Sequence, residues 1–159
     1  MNMDLILWRH AEAEDLEETE EGCGADLSRR LTPKGERQAL RMAAWLDRQL
    51  PEGVRVYCSP AVRTEQTVIA LGRKYKARDE LRPDGTVEEL LQLVQWPDAR
   101  QPALVVGHQP TLGRTVARLL DWREEDCSIR KGSVWWLRQR ERDGCAQTVI
   151  VTVQTPELL

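Results

Sequence analysis

The chain has only two histidines, and each follows an apolar run of strand length: Leu5-Ile6-Leu7-Trp8 gives way to Arg9-His10, and Ala103-Leu104-Val105-Val106 to Gly107-His108. A third run, Val54 to Cys58, is followed by Ser59-Pro60-Ala61-Val62-Arg63. Ligands of open α/β sheets bind beyond the carboxyl ends of the strands, so Arg9, His10, Arg63 and His108 are expected along one edge. Singly, each has an ordinary explanation, an arginine paired with a surface glutamate or a histidine hydrogen-bonded in a core. Their convergence is what points to chemistry. Guanidinium forks, imidazoles and helix N-termini suit a dianionic phosphoryl group better than sulfate or carboxylate. A neutral imidazole can attack phosphorus through its free ring nitrogen, and an ordinary pKa of about 6.5 leaves much of it neutral at cytoplasmic pH. Such covalent chemistry needs no metal, and no cluster of histidines, cysteines and carboxylates stands at metal-ligand spacing. Water would then hydrolyse the phosphohistidine while the arginines and the second imidazole stabilise charge on the equatorial oxygens.

The elements that must position these residues follow from pattern. Leu5 to Trp8 and Ala103 to Val106 are unbroken apolar runs, the mark of strands buried on both faces. Thr32 caps a helix with Pro33 at its first position, and Ala39, Ala43, Leu46 and Leu50 recur at helical spacing, which predicts a helix from about Pro33 to Gln49. Ser59-Pro60 is expected to cap and open a second helix running to about Lys74. Thr86 and Glu89 form a capping box for a short helix ending before Pro97, and Leu112, Val116, Leu119 and Leu120 mark another. Two β-rich runs, Ser133 to Arg138 and Gln147 to Val153, flank the turn pair Asp143-Gly144. Strands alternating with helices, then a hairpin, predict an α/β three-layer sandwich: a mostly parallel sheet, helices on both faces and a C-terminal antiparallel pair. Trp8, Trp45, Trp135 and Trp136 fall within these elements and read as packing; Trp96 and Trp122 follow helices.

Length and composition narrow the class. With 159 residues, 41% hydrophobic and 31% charged, the chain fits one globular domain, 1–159, with no apolar run of membrane-spanning length. The net charge of −3, from 23 basic and 26 acidic residues, argues against a dedicated nucleic-acid binder. Cys23, Cys58, Cys127 and Cys145 lie far apart and read as free thiols, and Met1 to Trp8 lacks the charged start of a secretion signal, so a cytoplasmic location is expected. No glycine-rich turn follows the first strand, which disfavours a nucleotide or flavin site.

At these residues the chain resembles the histidine phosphatase superfamily, and within it the small SixA-type phosphohistidine phosphatases. The likeness covers most of the chain: Arg9-His10-Ala11-Glu12-Ala13, Arg30-Leu31-Thr32-Pro33-Lys34-Gly35 with Gln38-Ala39, Ser59-Pro60-Ala61-Val62-Arg63-Thr64-Glu65-Gln66-Thr67, and Val105-Val106-Gly107-His108-Gln109-Pro110. The resemblance implies a phosphoglycerate-mutase-like fold, His10 as the nucleophile that becomes phosphorylated, and Arg9, Arg63 and His108 completing the phosphate pocket. One departure is Ala11, where the wider superfamily commonly has glycine; its methyl would limit backbone approach to the phosphate.

Phosphomonoesterases of this superfamily generally protonate the leaving oxygen with a carboxylic acid. Glu80 and Asp84 are the candidates here, although a solvated loop charge is the more ordinary reading of each. SixA-type proteins resemble this chain in lacking an evident acid, and an imidazole leaving group already protonated on its other nitrogen needs less help. The expected activity is therefore metal-independent phosphohydrolysis through His10, acting on a protein phosphohistidine. The rivals are a small-molecule phosphomonoesterase with the same pocket and a non-catalytic phosphate-binding module. The stretch from Glu12 to Gly24 is read as a mobile loop, and its acidic part, Glu12 to Glu21, follows the nucleophile directly and is expected to overhang the pocket and disfavour highly charged small anions.

Overall fold

The N-terminal apolar run forms the strand on which the rest is built. A computed structural model describes residues 2–16 and 22–159. In chain order the elements are β1 (Met3–Arg9), α1 (Cys23–Leu27), α2 (Pro33–Gln49), β2 (Arg55–Cys58), α3 (Val62–Ile69), β3 (Lys76–Ala77), a 3-10 turn over Asp79–Leu81, α4 (Val87–Val94), β4 (Ala103–Gly107), α5 (Thr111–Leu119), β5 (Val134–Arg142), β6 (Cys145–Gln154) and a closing 3-10 turn, Pro156–Leu158. They build one six-stranded sheet in the order β3-β2-β4-β1-β5-β6. β1 runs parallel to β4, and β2 parallel to both β4 and β3, while β5 and β6 add antiparallel.

Alternation along the central strands divides the core between two faces. Leu5, Leu7, Ala103 and Val105 meet Leu90 and Val94 of α4 and Leu112 and Val116 of α5. Ile6, Trp8, Leu104 and Val106 meet Met42, Ala43 and Leu46 of α2 and Val68 of α3. The sheet is thus covered by helices on both faces, as the unbroken apolar runs require. Thr32 Oγ1 accepts the Gly35 amide at 3.0 Å with Pro33 at the first helical position, and the Thr86–Glu89 capping box closes in both directions. Asp143 and Gly144 take φ of 54° and 78°, the left-handed pair that a two-residue hairpin turn demands.

Three expectations need correction. Ser59 does not cap α3: that helix begins at Val62 after Ala61, because the Ser59 hydroxyl is engaged elsewhere. α3 also ends at Ile69 rather than near Lys74, and the chain turns through Gly72 at φ 71° towards β3, a strand of two exposed residues with no apolar signal in its sequence. Within the acidic stretch, Ala13 forms a bridge with Leu31, while residues 17–21 lie outside the described residues; helix α1 then starts at Cys23, inside the segment read as loop up to Gly24. Trp8, Trp45, Trp135 and Trp136 pack as expected, with Trp8 fully buried and Trp45 edge-on to Trp136 at 6.3 Å; Trp122, which the sequence leaves open, stands edge-on to Trp135 at 6.2 Å. No helix of the described residues is long and apolar enough to cross a membrane.

Candidate active site

β1, β2 and β4 are parallel neighbours, so their carboxyl ends lie together and bring Arg9-His10, Ser59 and His108 side by side. Backbone bonds fix the strand ends: the His10 amide donates to the Gly107 carbonyl at 3.1 Å and the Ser59 amide to Val106 at 3.1 Å. The rings of His10 and His108 stand 5.3 Å apart, both nearly inaccessible to solvent. Arg63 projects from the first turn of α3 and donates through Nη2 to His108 Nδ1 at 3.3 Å. Arg9 is held from behind, its Nη1 donating to the Ile129 carbonyl at 2.7 Å.

The hydrogen bonds assign the tautomers. His10 Nδ1 lies 2.7 Å from the Ala11 carbonyl, which can only accept, so Nδ1 carries the proton and Nε2 keeps its lone pair. In His108 the roles reverse, since Nδ1 faces a guanidinium that can only donate; its proton sits on Nε2 and is given to Ser59 Oγ at 2.8 Å. Burial, together with Arg63, Arg9 and Arg29, pushes His10 down to about 3 against the raising effect of the Ala11 carbonyl. Burial and the same arginines, with His10, push His108 down to about 2. Both imidazoles are therefore neutral at neutral pH. Burial also lowers Arg63, against the opposing pull of Asp26.

Two residues at this site had no signal in the sequence reading. Asp26, on α1, accepts Arg63 Nη2 at Oδ2 (3.2 Å) and Arg63 Nη1 at its main-chain carbonyl (2.8 Å). Arg29 pairs with Asp26 Oδ1 at 3.2 Å and donates through Nε to the Glu14 carbonyl at 2.6 Å. Burial raises the Asp26 pKa, but Arg63 and Arg29 outweigh it and hold the carboxyl below its usual range. The one available hint was the spacing of Asp26 and Arg29 three residues apart, a helical ion-pair interval.

The segment after His10 is anchored by side chains that the sequence motifs contain without explaining. Thr67 Oγ1 accepts the Ala11 amide at 3.1 Å, Gln38 Oε1 accepts the Glu12 amide at 3.0 Å, and Thr32 donates to the Glu12 carboxylate at 2.7 Å. Gly35 is required here, because a Cβ at that position would collide with the Glu12 carbonyl oxygen. The Ala11 methyl is packed with Ala13, Leu31 and Ala39. Cys58, fully buried one residue before Ser59, has its thiol pushed up to about 12 by burial and by Glu65, so it stays protonated.

Neither acid candidate is bonded to these residues. Glu80 pairs with Arg78 at 3.1 Å and lines a cavity with Tyr57, Glu89, Gln92, Leu93 and Gln95. The Asp84 side chain is 85% exposed and pairs with Arg82, although its neighbour Gly85 accepts Thr111 Oγ1 at 2.9 Å, three residues after His108. Among the described residues no three of His, Cys, Asp and Glu are placed to hold a metal ion.

The model of the histidine phosphatase superfamily (branch 1) matches residues 5–90, more than half of the chain, and the chain belongs to that superfamily. Within it the chain is of the SixA type. Over 98% of its length it is similar to the SixA structure from Nakamurella multipartitia, with 30% identity and a TM-score of 0.75 over 97% of that chain. It is also similar to a protein histidine phosphatase SixA complexed with tungstate, at 26% identity and a TM-score of 0.74 over 98% of this chain and 99% of that one. An uncharacterized protein of Mycobacterium leprae is 31% identical over 100 residues, and the match spans 60% of either protein. The chain thus covers less than two thirds of that curated relative.

Proposed function

We propose that this protein is a phosphohydrolase in which His10 takes the phosphoryl group, and that its substrate is a phosphohistidine side chain of another protein. The observation that carries the reading is the tautomer of His10: a buried, neutral imidazole with its Nε2 lone pair free, among two arginines and a second neutral imidazole. The lone pair of Nε2 attacks phosphorus, the bond to the substrate imidazole breaks, and its electron pair returns to that ring, which leaves neutral because its other nitrogen is protonated. Water then cleaves the phosphorus–nitrogen bond at His10, releasing orthophosphate and restoring the imidazole. Arg9 and Arg63 stabilise the charge on the equatorial oxygens, with His108 beside them. Tungstate bound to the similar SixA structure is a tetrahedral oxyanion, which supports a phosphate-shaped pocket here. That Glu80 pairs with Arg78 and Asp84 with Arg82, rather than with any of the four residues, favours a leaving group that needs no acid. The free thiols of Cys58, Cys127 and Cys145 support a reducing, cytoplasmic setting.

Release of phosphate from a phosphohistidine peptide and from an aryl phosphate, without added metal, tests this in wild type and His10→Ala. The peptide is expected to be preferred and the variant inactive. The second reading, a small-molecule phosphomonoesterase, is favoured by the Gly85–Thr111 bond that holds the Asp84 segment near His108. It requires that aryl phosphate be the better substrate and that Asp84→Asn slow its hydrolysis by about a hundredfold or more, of the order seen for general acids.

A further inference from the structure

Beside the site, a groove of about 260 Å³ is lined by Lys34, Arg37, Gln38, Arg41, Pro156 and Glu157. Two of its lining residues, Gln38 and Pro156, connect it to the nucleophile segment. Gln38 holds the Glu12 amide, two residues after His10, and Pro156 packs against Gly132, whose amide donates to the carbonyls of Arg9 (3.1 Å) and His10 (2.9 Å). Lys34, Arg37 and Arg41 are exposed and recur at intervals of three and four residues along one side of α2, which Arg48 extends by two further turns. Among the described residues none of these four cations forms an ion pair, whereas Arg29, Arg63, Arg73, Arg78, Arg82, Arg118 and Arg138 all do. Among the described residues, Glu157 is the only carboxylate lining the groove. Other arginines and lysines of the chain also stand outside these ion pairs, so what singles out this face is the groove itself, with three exposed cations against one carboxylate, joined to the site through Gln38 and Pro156. By helical spacing Leu40 stands on the same face, 60% exposed.

We propose that this face of α2 is the docking surface for the substrate protein, and that it receives an acidic segment flanking the phosphohistidine. The inference rests on the protein-phosphohistidine reading above. Cations without partners attract a carboxylate-rich surface over a Debye length and fix its orientation. An exposed leucine among them favours a folded or peptide partner over a bare polyanion, which has nothing apolar to set against it.

Two peptides with the same phosphohistidine, one flanked by aspartate and glutamate and one by neutral residues, test the proposal against wild type and an Arg37→Ala, Arg41→Ala double variant. At low salt, kcat/KM for the acidic peptide is expected to exceed that for the neutral one by about tenfold, mainly through KM, and to fall with added salt. The double variant is expected to bring the acidic peptide down to the neutral one, leaving the neutral peptide and aryl phosphate unchanged. Equal rates for the two peptides, or a preference that survives in the variant, would overturn the docking surface. Turnover of aryl phosphate with neither peptide hydrolysed would instead refute the substrate reading. Fluorescence anisotropy of the unphosphorylated acidic peptide judges the groove independently: binding that the double variant abolishes supports it, and absence of binding, or tighter binding of a single-stranded oligonucleotide, overturns it.

Discussion

Acidification should destabilise this protein through its two buried histidines, and their surroundings fix the size of the effect. Folded, burial and the neighbouring guanidinium groups hold His10 at about 3 and His108 at about 2, whereas an unperturbed histidine titrates at 6.5. Between these values the unfolded chain binds protons that the folded chain refuses. Stability from this source is therefore complete above about pH 6.5 and is lost as pH falls towards the folded values. At about pH 5 the loss depends only on the unfolded pKa, because both folded values lie well below; it comes to about 2 kcal/mol for each histidine, about 4 kcal/mol for the pair. Urea unfolding of wild type and of a His10→Asn, His108→Asn double variant, at about pH 8 and about pH 5, isolates this contribution, since the other titrating groups are common to both proteins. Wild type is expected to lose about 4 kcal/mol more than the variant on acidification. A difference under about 1 kcal/mol would show that the folded imidazoles accept protons, and the reasoning from burial and neighbouring arginines would fail.

Further outcomes follow from particular contacts. Asp26 engages both terminal nitrogens of Arg63, so Asp26→Asn removes a negative charge from the phosphate pocket; the inhibition constant of orthophosphate is expected to fall by about tenfold, and unchanged inhibition would mean that Asp26 does not compete with the anion. Ser59→Ala leaves the His108 Nε2 proton and the Ala61 amide without their acceptor in a fully buried position, for a loss of about 2 kcal/mol in urea unfolding. Gly35→Ala sets a methyl group against the Glu12 carbonyl and should destabilise by about 1–3 kcal/mol while lowering kcat at least several-fold, whereas Gly24→Ala, with open space around it, should do neither.

What the sequence makes legible are features whose physics is local. β1 and β4 are readable because strands buried on both faces must be apolar throughout, and α2 and α4 because Thr32-Pro33 and Thr86–Glu89 satisfy their own helix ends. The convergence of Arg9, His10 and His108 is readable because parallel strands deliver their carboxyl ends to one edge, and that of Arg63 because α3 opens just after β2. Long-range bonds are not readable. Ser59 has the composition of a cap, but the His108 imidazole, 49 residues away, takes its hydroxyl and the helix starts later. Lys76 and Ala77 become β3 only because the outer edge of β2 offers backbone partners at Tyr57 and Cys58. Asp26 reaches the site through its ion pair with Arg63, which links α1 to α3, and no periodicity encodes that pairing.

The central claim is that His10 accepts the phosphoryl group, and a trapped intermediate tests it most directly. A phosphohistidine peptide is mixed with the protein, the reaction is stopped in alkali within the first turnover, and the digest is examined by mass spectrometry for a phosphoryl group. The expected result is one phosphoryl group on the peptide containing His10, absent in His10→Ala. Phosphate released at an undiminished rate by His10→Ala, or a label on His108 alone, would contradict the claim.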